Sequence, residues 1–135
     1  MKKLFCLVIS VLLLISMPMS ITAAIPEATI QPLWENMSSA NVTLGFAGAT
    51  GTATASVIRI PNVTTEIEGT LTVYEVDGND WIYVDSVSKS STRTLGIELE
   101  FDATPGVEYV AVLEVTAHSE YSSESHTTTD YGTCP

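Results

Sequence analysis

Residues 95–101 read LGIELEF, with a large apolar side chain at every second position and glycine or glutamate between them. Because successive side chains of a β-strand point to opposite faces, this period of two predicts a strand with one buried and one solvated face. Residues 107–117 extend the pattern. Their apolar face carries Tyr109, Ala111, Leu113 and Val115. The turn-forming segment Ala103-Thr104-Pro105-Gly106 separates the two stretches, which we therefore interpret as consecutive strands.

The same alternation recurs toward the N-terminus, interrupted by turn signals. The apolar positions of three further predicted strands are Val42, Leu44 and Phe46; Ala53, Ala55 and Val57; and Ile67, Gly69, Leu71 and Val73. The sequence DGND at residues 77–80 then predicts a tight hairpin, because glycine and asparagine tolerate positive φ. The buried face of the returning strand is ambiguous, and a β-bulge or burial on both faces stays open. Its buried face could be formed either by Trp81, Tyr83 and Val87 or by Ile82 and Val84.

Seven short strands separated by turns, with no helical period, predict an all-β fold, an antiparallel β-sandwich. The last strand, near residues 124–131, is almost entirely polar and is expected at a sheet edge. In this scheme residues 41–135 form the sandwich domain and residues 25–40 form an N-terminal arm. Trp34 is expected to act as a structural plug over the end of the core.

The first 24 residues have the three parts of a signal peptide. A basic start, Lys2-Lys3, precedes an apolar run from Leu4 to Met17, and residues 22–24 supply small side chains for cleavage. We therefore expect a signal helix over residues 1–24 that is cleaved, giving a secreted, extracellular product with no membrane attachment. The alternative is an uncleaved N-terminal anchor, since residues 4–25 carry no charge over nearly the length that spans a bilayer.

Loss of the leader would leave three basic residues against 16 acidic ones, a net charge of about −13 compared with −11 for the whole chain. This charge repels nucleic acid and anionic membrane surfaces, which we exclude as partners. Of the two cysteines only Cys134 would remain, which excludes an intramolecular disulfide. The sequence then predicts a free thiol on a frayed tail, with an intermolecular disulfide through Cys134 as the alternative.

Two resemblances refine the fold. Residues 104–115, TPGVEYVAVLEV, resemble the sixth strand of fibronectin type III and related immunoglobulin-like domains, which implies an immunoglobulin/fibronectin III-like sandwich. That resemblance implies that Tyr109 is a structural corner tyrosine, whose hydroxyl binds the backbone of the preceding corner. Residues 30–39, IQPLWENMSS, together with the strands at Gly51 and Gly69 and the Trp81 hairpin, resemble a family of small uncharacterised secreted proteins of Gram-positive gut bacteria, a domain of unknown function.

Few residues suggest metal or catalytic chemistry. The weak metal candidates are Asp77, Asp80, His118 and His126. The two histidines lie around one predicted hairpin with Glu120 and Glu124, but their spacing matches no known ligand pattern, which favours solvated side chains over a metal site. A tight turn explains the two aspartates without calcium. The sequence contains no nucleophile elbow, zinc-binding helix motif or phosphate-binding glycine loop, so neither a cofactor nor enzyme activity is expected.

The predicted function is an exported, non-enzymatic binding or interaction module at or outside the cell surface. Its expected partner is a protein with basic patches or a glycan. One alternative is a carbohydrate-binding module in which Trp81, Tyr83 and Tyr74 stack on sugar rings. The competing explanation of these aromatics is that they pack into the core or its rim. Another alternative function is a secreted bacteriocin-like or immunity factor. The fold hosts all of these roles, so it does not choose among them.

Overall fold

The computed structural model describes residues 34–135. The expected signal helix and most of the arm lie outside the described residues. The described chain contains seven β-strands and no helix, with bounds β1 (Met37–Ala47), β2 (Thr50–Arg59), β3 (Thr64–Asp77), β4 (Asp80–Ser91), β5 (Leu95–Asp102), β6 (Glu108–Ser119) and β7 (Ser123–Thr133). Within this range no helix has the length and apolarity needed to cross a membrane.

The strands form two antiparallel sheets. One has three strands in the order β1-β2-β5, and the other has four strands in the order β4-β3-β6-β7. The prediction of an all-β chain with seven strands in an antiparallel, two-sheet arrangement is confirmed. The polar last strand, β7, lies at the edge of the four-stranded sheet, as expected.

The core lies between the two sheets and follows the period of two. The inward positions that the alternation predicts on β2, β3, β5 and β6 are all buried. They are Ala53, Ala55, Val57, Ile67, Gly69, Leu71, Val73, Leu95, Ile97, Leu99, Phe101, Tyr109, Ala111, Leu113 and Val115. The small side chains of β2 let rings approach the backbone, and the Phe101 ring lies over Gly51, its register partner.

A β-bulge determines which way the side chains of β4 point. The register between β3 and β4 shifts next to Val73, and Val84 is left without a cross-strand partner. One unpaired residue reverses the alternation of the strand. Trp81 and Tyr83 therefore lie on the outer face of the sheet, whereas Val87 packs against the core. The bulge is one of the two alternatives that the sequence left open.

The sandwich begins earlier than the predicted boundary at residue 41. β1 starts at Met37, whose side chain is fully buried, so residues 37–40 belong to the sheet and not to an arm. A register shift between Met37 and Ser39 breaks the alternation that leads into Ala40 and Val42. Because of this irregularity the first residues of β1 do not follow the period of two, so the alternation alone does not predict where the strand starts.

Two carboxylates on the inner face of β7 hold the N-terminal part of the domain. Glu124 accepts hydrogen bonds from the backbone N–H groups of Glu35 and Asn36, at 3.0 and 2.8 Å. Asp130 accepts one from the N–H of Leu44 on β1, at 2.8 Å. These bonds satisfy two donors just before β1 and one donor on this edge strand, and they close one side of the sandwich between the two sheets.

The C-terminus is held in the structure. Cys134 is 1% exposed, its N–H donates to the carbonyl of Val107, and its carbonyl accepts from the N–H of Gly106. The expectation of a thiol on a frayed tail is therefore wrong. Two backbone hydrogen bonds extend the β6–β7 pairing to this residue, and its thiol is free and buried.

Candidate functional site

Tyr109 and Trp34, the expected structural aromatics, lie at positions that fix the ends of the sandwich. Tyr109 is 2% exposed, and its hydroxyl accepts a hydrogen bond of 2.8 Å from the backbone N–H of Thr104 in the preceding corner. Trp34 is half-buried against the core, with its ring centroid 4.9 Å from that of His126. Tyr109 is therefore a structural residue, and Trp34 packs part of its side chain against the core.

The two histidines lie on opposite faces of the four-stranded sheet. His126 pairs with Val115, a core residue, whereas His118 pairs with Ser123 on the outer face. Nε2 of His118 lies 2.7 Å from the carboxylate of Glu68, and its Nδ1 lies 2.7 Å from the hydroxyl of Ser123. A metal site that combines both imidazoles is incompatible with this arrangement, because the backbone of the sheet separates them.

The Asp77–Asp80 hairpin forms a two-residue turn. Gly78 has φ of 62° at the first central position, which is the place that a type II′ turn reserves for glycine. Asp77 and Asp80 are register partners at the ends of β3 and β4. Within residues 34–135 no group of three or more histidine, cysteine, aspartate or glutamate side chains is arranged to hold a metal ion.

The outer face of the four-stranded sheet carries a cluster of aromatic rings, which we call the aromatic patch: Tyr74, Trp81, Tyr83 and Tyr131. The Tyr74 ring centroid lies 5.5 Å from that of Trp81 and 6.3 Å from that of Tyr83, and the Trp81 and Tyr131 centroids are 6.2 Å apart. Trp81, Tyr83 and Tyr131 are 46%, 59% and 52% exposed. The three aromatics singled out from the sequence are thus together; Trp81 and Tyr83 are exposed, and Tyr74 is half-buried between them.

Val110 forms the floor of the aromatic patch. It pairs with Tyr74 on one side and Tyr131 on the other, which places it on the outer face, yet it is fully buried. The rings above it are inclined to one another: the interplanar angles are 37° between Tyr74 and Trp81 and 71° between Trp81 and Tyr131. The patch is therefore a faceted apolar surface that offers ring faces and edges in several directions.

Tyr131 is the member of the patch that the sequence analysis missed. It belongs to β7, whose other outward residues are serines and threonines. The alternation of β7 could have indicated its position, because Tyr131 is an even number of residues from Ser123 and therefore lies on the same face of the strand. Its proximity to Trp81 depends on the strand order, since β3 and β6 lie between the two strands that carry them.

A polar groove lies on the same outer face. It is open, has a volume of about 670 Å³, and is lined mainly by hydroxyl and carboxylate side chains. Its side chains include Glu68, Thr70, Ser88, Glu114, Thr116 and Ser125. Thr70 is four residues from Tyr74 on β3, so the groove and the aromatic patch are about 13 Å apart along the strand. Together they make one continuous outer surface with an apolar and a polar half.

No protein family model matches this chain, and no curated protein sequence matches it either.

Proposed function

We propose that this chain is an exported, non-enzymatic binding module with an immunoglobulin/fibronectin III-like fold, and that the aromatic patch contacts its partner. Export is supported by the charge and hydropathy pattern of residues 1–24. The resemblance of residues 30–39 to small secreted proteins of Gram-positive gut bacteria supports the same assignment.

The fibronectin III-like assignment is supported by strand pairing. In the immunoglobulin constant-type arrangement the fourth strand lies in the sheet of the first, second and fifth strands. Here the fourth strand pairs with the third instead, and β1, β2 and β5 form a sheet of three, as in fibronectin type III domains. The hydrogen bond from the Thr104 N–H to the hydroxyl of Tyr109 has the form of the corner tyrosine of these folds.

The observation that carries the proposed binding role is the exposure of the aromatic patch. Large rings on the outer face of a two-layer sandwich contribute little to the core, and Trp81 and Tyr83 keep about half of their surface in water. Tryptophan and tyrosine are enriched at protein interfaces because they bury much area for little loss of conformational entropy. A contiguous exposed group of such residues marks a contact surface.

Retention of partners by the immobilised chain tests this proposal. Culture supernatant and cell-wall fragments are passed over the wild-type protein and over a Trp81→Ala/Tyr83→Ala variant. We expect the variant to lose the specifically retained material. Tyr121→Ala is the matched control, because Tyr121 is the most exposed large aromatic of the described chain and lies outside the patch. Identical retention by the wild-type protein and the patch variant would contradict the proposed function.

A second candidate, carbohydrate binding, is favoured by the polar groove beside the aromatic patch. Hydroxyls and carboxylates such as Thr70, Glu114 and Thr116 offer hydrogen bonds to sugar hydroxyls, and a ring of the patch offers a stacking face. Titration with soluble N-acetylglucosamine oligomers, followed by calorimetry, tests it. Glu114→Gln is expected to weaken such binding, and equal affinity in this variant and the wild-type protein would argue against a groove-bound glycan.

A further inference from the structure

The basic residues of the described chain are gathered at the end of the sandwich that lies away from the aromatic patch. Arg59 ends β2, and Lys89 and Arg93 lie near the end of β4 and in the following turn. Trp81 lies eight residues before Lys89, which corresponds to about 25 Å along an extended strand. Since the Debye length is about 8 Å at physiological ionic strength, these cations are largely screened from the patch.

Three carboxylates lie near the aromatic patch, and we call them the acidic rim: Glu108, on the same outer face, and Asp77 and Asp80, which end the β3–β4 hairpin beside Trp81 but have the register parity of the opposite face. Asp80 precedes Trp81 and pairs directly with Asp77, an arrangement in which like charges face each other at a cost in stability. Glu108 lies in the same cross-strand row as Trp81, two strands away, or about 10 Å between backbones. Within residues 34–135 none of the three has an ion-pair partner.

We infer that the aromatic patch and its acidic rim bind a polypeptide segment rich in lysine or arginine. The inference rests on the proposed function, because it uses the same surface and specifies the chemistry of the partner. A cation within about 6 Å of the face of a tryptophan or tyrosine ring is attracted by the ring quadrupole. The rim carboxylates add favourable charge–charge energy, which speeds association and disfavours acidic partners.

The spacing of the rings fits an extended peptide. Side chains on one face of an extended chain recur about every 6.6–6.8 Å, and along the row Tyr83, Tyr74, Trp81 and Tyr131 the neighbouring ring centroids lie 6.3, 5.5 and 6.2 Å apart. Alternate basic side chains can therefore reach successive rings. Flat stacking of a sugar chain requires rings that share one plane, whereas the Tyr74 and Tyr83 rings are 79° apart.

Peptide binding to the full chain tests the inference. A Trp34→Phe background leaves Trp81 as the single tryptophan, and its fluorescence is followed during titration with a decalysine peptide and with a neutral glycine-serine peptide of the same length. We expect a saturable change with decalysine only. In anisotropy with labelled decalysine, Trp81→Ala is expected to weaken binding by about tenfold, and Asp80→Asn/Glu108→Gln by about fivefold.

A variant with the same change of net charge separates the patch from the acidity of the whole chain. Glu98 and Glu100 are exposed on β5 of the other sheet, and Glu98→Gln/Glu100→Gln is expected to weaken binding by less than about twofold. Tyr83→Ser provides a second patch variant at its most exposed ring, with an expected loss of about threefold. Circular dichroism checks that each variant is folded.

Four results would overturn the inference. The first is an equal loss of decalysine affinity in the Asp80→Asn/Glu108→Gln and Glu98→Gln/Glu100→Gln proteins. The second is unchanged decalysine affinity in folded Trp81→Ala and Tyr83→Ser proteins. The third is binding of N-acetylglucosamine oligomers that depends on Trp81, with decalysine binding unaffected; this would leave the proposed function standing with a glycan as its ligand. The fourth is a dimer that dissociates on Trp81→Ala substitution and binds no peptide, which would assign the surface to a second copy of the chain.

Discussion

Replacement of Gly51 with alanine is expected to destabilise the domain, because the inner face of β2 has no space for a Cβ atom there. A Cβ built on Gly51 would overlap the ring of Phe101, its register partner on β5. The ring is confined, since its centroid lies 5.1 Å from that of Tyr109 and 6.3 Å from that of Phe46. Gly51 does not have a positive φ, so the expected effect arises from packing and not from backbone strain.

Two opposing effects set the magnitude. An added carbon in a closely packed core forces neighbouring side chains away from their preferred rotamers and costs about 1–3 kcal/mol. Alanine also restricts the unfolded chain more than glycine does, which offsets about 0.5–1 kcal/mol of that cost. We expect the free energy of unfolding to fall by about 1–2 kcal/mol, and Tm to fall by roughly 5–10 °C for a domain of this size.

Urea unfolding followed by far-ultraviolet circular dichroism measures the change, as a lower midpoint at an unchanged m-value. Gly45→Ala is the matched control on the neighbouring strand β1, because a Cβ built on Gly45 meets no atom within 4 Å. It should leave stability unchanged or raise it by up to about 1 kcal/mol. If Gly51→Ala and Gly45→Ala proteins were equally stable, the packing argument would be refuted. Adding Phe101→Leu to the Gly51→Ala protein should restore part of the loss.

Three further predictions concern contacts at the edges and ends of the sandwich. Tyr109→Phe leaves a backbone N–H of the corner without its acceptor and should lower the unfolding free energy by about 1–2 kcal/mol in urea titrations, whereas Tyr121→Phe, at an exposed position, should be neutral. Asp130→Ala removes the acceptor of a β1 N–H and should lower the free energy of unfolding by about 1–2 kcal/mol, measured by thermal unfolding. The prediction would be contradicted if replacing an outward-facing threonine of the same strand with alanine caused an equal loss. In a Cys6→Ser chain, Cys134 should react with a thiol reagent only as fast as the domain opens, and rapid labelling in native buffer would show that the thiol is exposed.

The regular part of the fold could be predicted because each inner face obeys one simple rule. On β5 every second side chain is large and apolar, and a slip by one residue would place Leu95 to Phe101 in water, so the register is strongly specified. The rule fails wherever one residue leaves the ladder. The register shift near Ser39 hid the start of β1, and the unpaired Val84 reversed the alternation of β4. The alternation of side chains within one sequence does not show at which residue the pairing with a neighbouring strand will leave a position unpaired.

The candidate site could be predicted only in part, because its assembly depends on strand order. Tyr74, Trp81 and Tyr83 belong to one hairpin, and their proximity follows from local pairing. Tyr131 joins them from β7, across β3 and β6, and this depends on contacts far apart in sequence. The inner carboxylates of β7 show the same limit: a polar strand indicated an edge, but the role of Asp130 depends on an N–H of β1 that only the folded sandwich places beside it.

The outer face of the four-stranded sheet can be altered with little effect on the core, and this makes the binding proposals testable. The inner positions of β3 and β6, such as Leu71 and Leu113, are fully buried between the sheets, whereas Trp81 keeps 46% of its surface in water. Truncation of a fully buried tryptophan to alanine costs about 3–5 kcal/mol, so a half-exposed ring should cost about 2 kcal/mol. Small domains are typically stable by about 5–15 kcal/mol. A Trp81→Ala protein should therefore remain folded, and a loss of binding in it would report on the surface itself.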